Sequence, residues 1–284
     1  MKWQGRRTSG NVEDRRGIGG KGMAMGGGLG GIVLVVLYLL LGGNPNEVMQ
    51  NLQPTGLESG STESRPLTEA EVQEGQFVSV ILAETEDVWH RVFAQAGEEY
   101  REPRLVLFSD QISSACGVAG SSAGPFYCPG DEKVYIDLSF FSEMQTQLGA
   151  HGDFALAYVI AHEVGHHVQT LLGINEQVMA QRDQMSEVEF NRLMVRLELQ
   201  ADFLAGLWAH HAARTAGLLE QGDIEEGINA AGAVGDDRIM KQTQGYVVPD
   251  AFTHGTSEQR VKWFMKGYQS GDMSQGDTFS ASDL

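Results

Sequence analysis

The chain has 284 residues, 42% of them hydrophobic, and a formal net charge of −18. That hydrophobic share supports one sizeable globular domain and excludes a wholly disordered chain. So acidic a balance repels phosphates and argues against nucleic acid as a partner.

Charge is unevenly spread. Residues 1–21 carry Lys2, Arg6, Arg7, Arg15, Arg16 and Lys21 against Glu13 and Asp14, whereas residues 22–42 carry no charged side chain. The stretch Met23 to Gly43 ends in LGGIVLVVLYLLLGG. As a helix it would be about 31 Å long, close to the hydrocarbon thickness of a bilayer. With the positive flank before it, the positive-inside rule predicts a transmembrane signal anchor over 22–43 and a basic cytoplasmic N-terminus over 1–21. The rest of the chain is then expected outside the cytoplasm, as the periplasmic or extracellular part of a single-pass inner or plasma membrane protein. No small-x-small cleavage site follows the apolar core, so the anchor is expected to stay uncleaved. Residues 44–66, rich in Asn, Pro, Gly and Ser, read as a flexible linker.

Folded structure is expected from Leu67. Thr68 and Glu71 match a capping box, and Phe77, Ile81, Val88 and Val92 recur at helical spacing. RLVLF (104–108) and KVYID (133–137) are rich in β-branched and aromatic residues and predict strands. Between them lie both cysteines, Cys116 and Cys128. They either close a small disulfide loop or remain buried thiols, and their spacing suits both. Helices are predicted near 153–172, 186–214 and 257–267, the last opened by a Thr256/Gln259 box and closed at Gly267. The domain is expected to end near 270, with 271–284 as a disordered tail too poor in apolar groups to pack.

The helix near 153–172 contains HEVGH. Residues four apart on a helix differ by about 40° in direction, so His162 and His166 project from one face, an arrangement that suits zinc. Glu163 sits one step round, within reach of a metal-held water without being a ligand, as in the HExxH motif of zinc hydrolases. The extended motif HExxHxxGxxH is absent, because Gln169 and Leu172 occupy its later positions. A glutamate from a later helix is the other common third ligand. MVRLELQADFLAG supplies Glu198 and Asp202, four apart in an apolar setting. Carboxylates there are costly to bury unless they bind a metal or pair with a partner.

The pairing of AHEVGHHVQ with ELQAD resembles the glutamate-ligand branch of the zincin metallopeptidases. The run from ACGVAGSSAGPFYCPGDEKVYIDLSFF through HGTSEQRVKWF is similar to the bacterial neutral zinc metallopeptidases, a family of membrane-anchored proteins, over residues 67–270 and the anchor. The resemblance implies an α+β, mostly helical, zincin-like fold with a small β-sheet above an active-site HExxH helix. It implies an edge strand that receives an extended peptide, for which KVYID is the candidate.

It also implies a zinc-dependent metalloendopeptidase cutting proteins or peptides of the cell envelope. His162, His166 and Glu198 would hold Zn²⁺, Glu163 would activate the metal-held water, and Asp202 would orient His162. His254 is the candidate donor to the oxyanion, with Arg260 second. Two rivals are a zinc-stabilised envelope scaffold that cuts nothing and a zinc amidase acting on a non-peptide cell-wall amide. Glu163 weighs against the scaffold, since a structural zinc needs no general base. His167 reads as a capping or surface residue, His210 and His211 as helix-surface residues, and His90 and His151 have no identifiable partner.

Overall fold

The computed structural model describes residues 1–17, 65–120 and 124–284. Four strands form the principal sheet in the order β1-β2-β6-β5: β1 (Val12–Asp14), β2 (Arg104–Phe108), β6 (Lys133–Asp137) and β5 (Phe126–Cys128). Strands β1, β2 and β6 run parallel, with Leu105 facing Val12 on one side and Val134 on the other. Strand β5 is antiparallel to β6. Alternation along β2 and β6 sends Leu105, Leu107, Val134 and Ile136 into the main core. Val106, Phe108 and Tyr135 pack on the opposite face with Cys128. A separate hairpin, β3 (Gln111–Ser114) and β4 (Gly117–Gly120), lies between β2 and β5 in the chain. Cys116 and Cys128 are joined by a disulfide, with their Cα atoms 5.8 Å apart.

KVYID is therefore an interior strand. Its two neighbours use its hydrogen-bonding edges, and the outer antiparallel edge of the sheet next to the HExxH helix belongs to β5, Phe126–Cys128. Three residues with little alternation do not announce a strand in sequence.

The helices are α1 (Glu69–Ala96), α2 (Ser139–Gln147), α3 (Asp153–Leu171), α4 (Ile174–Met179), α5 (Glu187–His211), α6 (Asp223–Ala233), α7 (Asp236–Gln244) and α8 (Ser257–Ser270). Capping boxes open α1 at Thr68/Glu71, α5 at Ser186/Glu189 and α8 at Thr256/Gln259. Helix α8 ends at Gly271, in the left-handed region at φ 59°, rather than at Gly267. The molecule is thus α+β and mostly helical, with a small mixed sheet.

Both ends of the chain depart from expectation. Residues 1–16 belong to the same compact unit as 67–284. The basic flank read as a topology signal supplies partners to buried acids of α1. Arg6 Nη1 donates to Glu84 at 2.8 Å and Arg7 Nη1 to Glu86 at 3.1 Å, both acids being buried. Because β1 is hydrogen-bonded to β2, residues 1–16 and the domain lie on the same side of any membrane. The single-pass topology separates them and is corrected on that ground. Among the described residues no helix is long and apolar enough to cross a membrane, and the stretch 22–43 and the linker 44–66 up to residue 64 lie outside them. The transmembrane helix, the membrane partner and the localisation expected from it are accordingly not carried forward.

The tail is ordered against α5. Thr278 is fully buried and its Oγ1 donates to the Arg196 carbonyl at 2.6 Å, while the Arg196 guanidinium donates to the carbonyls of Thr278, Phe279 and Ala281. Phe279 packs on a small cluster of Val178, Phe190 and Leu197. Composition suggested disorder because most of these interactions use backbone carbonyls, which any sequence offers.

Candidate active site

Helices α3 and α5 cross at Gly165. A side chain there would press on Ala201, whose carbonyl oxygen lies 3.1 Å from an ideal Cβ position. This close approach turns His162 and His166 toward Glu198. His162 Nε2 lies 3.1 Å from Glu198 Oε2 and His166 Nε2 3.5 Å from Glu198 Oε1, and the three donor atoms all fall within 4.8 Å of one another. Two imidazoles and a carboxylate form a donor set that zinc takes with one position left open, so the residues fit that ion.

Behind His162 stands a buried polar cluster. His162 Nδ1 is 2.9 Å from Asp202 Oδ1, which also accepts from the Tyr158 hydroxyl at 2.5 Å. Arg260 donates to Asp202 through Nε at 2.8 Å and Nη2 at 3.0 Å, and to the Val234 carbonyl at 3.2 Å. Burial opposes the Asp202 charge, but Arg260 and His162 outweigh it and hold the carboxyl at about 2. Burial likewise opposes a charge on His162, yet the charge and hydrogen bond of Asp202, joined by Glu198, push it up to about 10. Asp202 thus sets His162 with Nδ1 inward and Nε2 toward Glu198. Arg260, read as a second oxyanion donor, is instead committed to Asp202, because a buried carboxylate beside one imidazole needs a stronger counter-charge.

Behind His166 the partner is Gln169, whose Oε1 lies 2.8 Å from His166 Nδ1. The sequence showed Gln169 only as the residue that breaks the longer histidine motif. One helical turn below His166 was its sole signal. Tyr158 and Gln200 were likewise unmarked, since an aromatic or an amide among apolar residues reads as ordinary core.

The three donors open onto a cavity of about 740 Å³, walled by Pro125, Phe126 and Tyr127 of the β5 edge, by Val159 and Met179, and by Ile239. Glu163 lines it, and its carboxylate hydrogen-bonds to no described residue. His254 lines it as well, with half its side chain exposed. Asp236 fixes His254 by accepting from its backbone N–H at 2.7 Å and by lying 3.2 Å from Nδ1. Burial disfavours a charged His254, but the Asp236 hydrogen bond and the Glu198 charge prevail and raise its pKa.

Three other histidines correct the sequence reading. His167 is fully buried between the Tyr127 hydroxyl, 3.1 Å from Nδ1, and the Arg101 carbonyl, 2.6 Å from Nε2, tying β5 to α3. His210 is buried against Gly271, with Nδ1 on the Tyr268 carbonyl at 2.7 Å, and His90 pairs with Glu102 at 2.9 Å. A lone helix position cannot disclose such distant partners.

Comparison with known proteins points to one family. A family model described as "Putative neutral zinc metallopeptidase" matches residues 1–279. The uncharacterized protein YpfJ of Escherichia coli is 48% identical over 99% of this chain and the whole of its own length. The uncharacterized protein Rv2575 of Mycobacterium tuberculosis is 47% identical over 65% of each chain. No solved structure matches the chain. With a family model spanning nearly its whole length and a relative aligned end to end, the chain belongs to the neutral zinc metallopeptidase family.

Proposed function

We propose that the protein is a zinc-dependent endopeptidase that hydrolyses internal peptide bonds of proteins or peptides. The reading rests on one observation: two imidazoles and a carboxylate converge at the wall of a cavity beside an uncommitted Glu163. His162, His166 and Glu198 would hold the ion. When bound, zinc supplies a Lewis acid that polarises a carbonyl and makes water acidic enough to attack it near neutral pH.

The chain's own groups do the rest. Glu163 takes the proton of the attacking water and passes it to the leaving amine nitrogen. His254, anchored on Asp236, donates through Nε2 to the developing oxyanion. The free edge of β5 offers backbone groups to which an extended substrate adds as a further antiparallel strand. Asp202 and Gln169 orient the two ligand histidines.

The test is mass-spectrometric cleavage profiling of a peptide library by the zinc-loaded protein beside Glu163→Gln. Cuts by the unmodified protein, reduced about 10² to 10⁴-fold in the variant with zinc retained, support the reading. Bound zinc with no cleavage by either protein would discard it.

A further inference from the structure

Four groups form a directional relay behind His166. The Gly276 carbonyl, in the C-terminal segment, accepts from Gln200 Nε2 at 3.0 Å. Gln200 Oε1 accepts from Gln169 Nε2 at 3.1 Å, and the same nitrogen donates to the Leu197 carbonyl at 2.7 Å. Gln169 Oε1 faces His166 Nδ1 at 2.8 Å. Gln169 is fully buried and Gln200 is buried beside it.

An amide has two unlike ends, and a carbonyl can only accept. The Gly276 carbonyl therefore selects the NH₂ end of Gln200, whose oxygen, together with the Leu197 carbonyl, then meets the NH₂ end of Gln169. Gln169 is left with its oxygen toward His166, and an oxygen there requires a hydrogen on Nδ1. A neutral imidazole with hydrogen on Nδ1 carries its lone pair on Nε2, the atom that faces Glu198.

We propose that the segment Met273–Ala281 positions His166 for metal binding, setting its tautomer from the Gly276 carbonyl through Gln200 and Gln169. This rests on the proposed zinc site. The segment is held for the task by the Arg196 contacts and by Gly276 itself, where an added Cβ would lie 2.6 Å from the fully buried Phe203 ring. A substituent at 276 must push the carbonyl off its mark. His162 is oriented differently, by a charged carboxylate, so the two ligand histidines have separate supports.

The experiment compares Gln200→Met and Gly276→Ala with the unmodified protein, using Lys262→Ala as a control that loosens only the exposed contact with Asp283. Zinc affinity is measured by chelator competition, and the His166 tautomer by ¹⁵N NMR of the zinc-free protein in alkaline buffer. Both relay variants are expected to raise the zinc Kd about 10-fold and to deplete the Nδ1–H form, with the control unchanged. Should Gly276→Ala fail to fold, Gln200→Met decides alone. An unaltered Kd and tautomer in Gln200→Met would overturn the proposal. So would a weakened Kd that merely follows a lowered unfolding midpoint while the tautomer stays put. If the unmodified protein takes no zinc, it is the metallopeptidase reading that fails, and the tautomer still tests the relay.

Discussion

Asp202 is fully buried and still charged because a guanidinium, an imidazole and a phenol converge on its two oxygens. Removing that charge strands Arg260. Asp202→Asn is therefore expected to lose about 3–5 kcal/mol of stability in urea unfolding, the usual cost of leaving a buried charge unpaired. Glu198 differs, because its Oε1 and Oε2 face the two ligand nitrogens themselves. Glu198→Ala should release most of the zinc, measured by metal analysis after dialysis, while leaving Asp202 and Arg260 paired. Full retention of zinc would require a different third ligand.

Glycines set the spacing of the site's helices. Gly206 on α5 and Gly267 on α8 meet where an added Cβ on either would collide with the other helix's backbone, at the Phe264 and Phe203 carbonyls. Helix α8 carries Arg260, so this crossing also sets the reach of Arg260 to Asp202. Gly267→Ala should cost about 1–3 kcal/mol or more in urea unfolding, since backbone cannot move aside as a side-chain end does. The Cys116–Cys128 bond ties the β3–β4 hairpin to the β5 edge across a separation of 12 residues. In the chain-entropy account such a loop contributes about 3 kcal/mol, and reduction should lower urea stability by about that much.

Across the whole molecule, acids and bases from distant parts of the chain close the sheet. Glu13 on β1 accepts from Arg15 at 2.6 Å, Arg104 at 3.2 Å and Lys133 at 3.4 Å. Chiefly through the Arg15 hydrogen bond, against a smaller opposing effect of burial, its pKa falls from 4.5 to about 2. A carboxyl with a depressed folded pKa stabilises above its unfolded value and loses that contribution as pH falls toward its folded value. Glu13→Gln should thus be less stable than the unmodified protein at pH 7, and the gap should close between pH 4.5 and pH 2. The gap itself should be under about 1 kcal/mol, as Glu13 is part-exposed. A deficit independent of pH would count against these ion pairs and leave the docking of β1 to backbone bonds alone.

Much of this was present in the sequence because its signals act within one or two helical turns. Two capping boxes, the β-branched and aromatic content of RLVLF and KVYID, and the four-residue steps of HEVGH and ELQAD are such signals, and the HExxH helix with its glutamate partner could be read from them. Everything that depends on which remote segments meet was decided only in three dimensions. Arg6 and Arg7 read as a topology signal until α1 brings Glu84 and Glu86 to them. KVYID read as an edge until β5 covered it, and Arg260 as an oxyanion donor until Asp202 claimed it. Gln169 and Gly276 carry no mark at all, because an amide and a carbonyl become a relay only when folding removes water and leaves each the other's nearest partner.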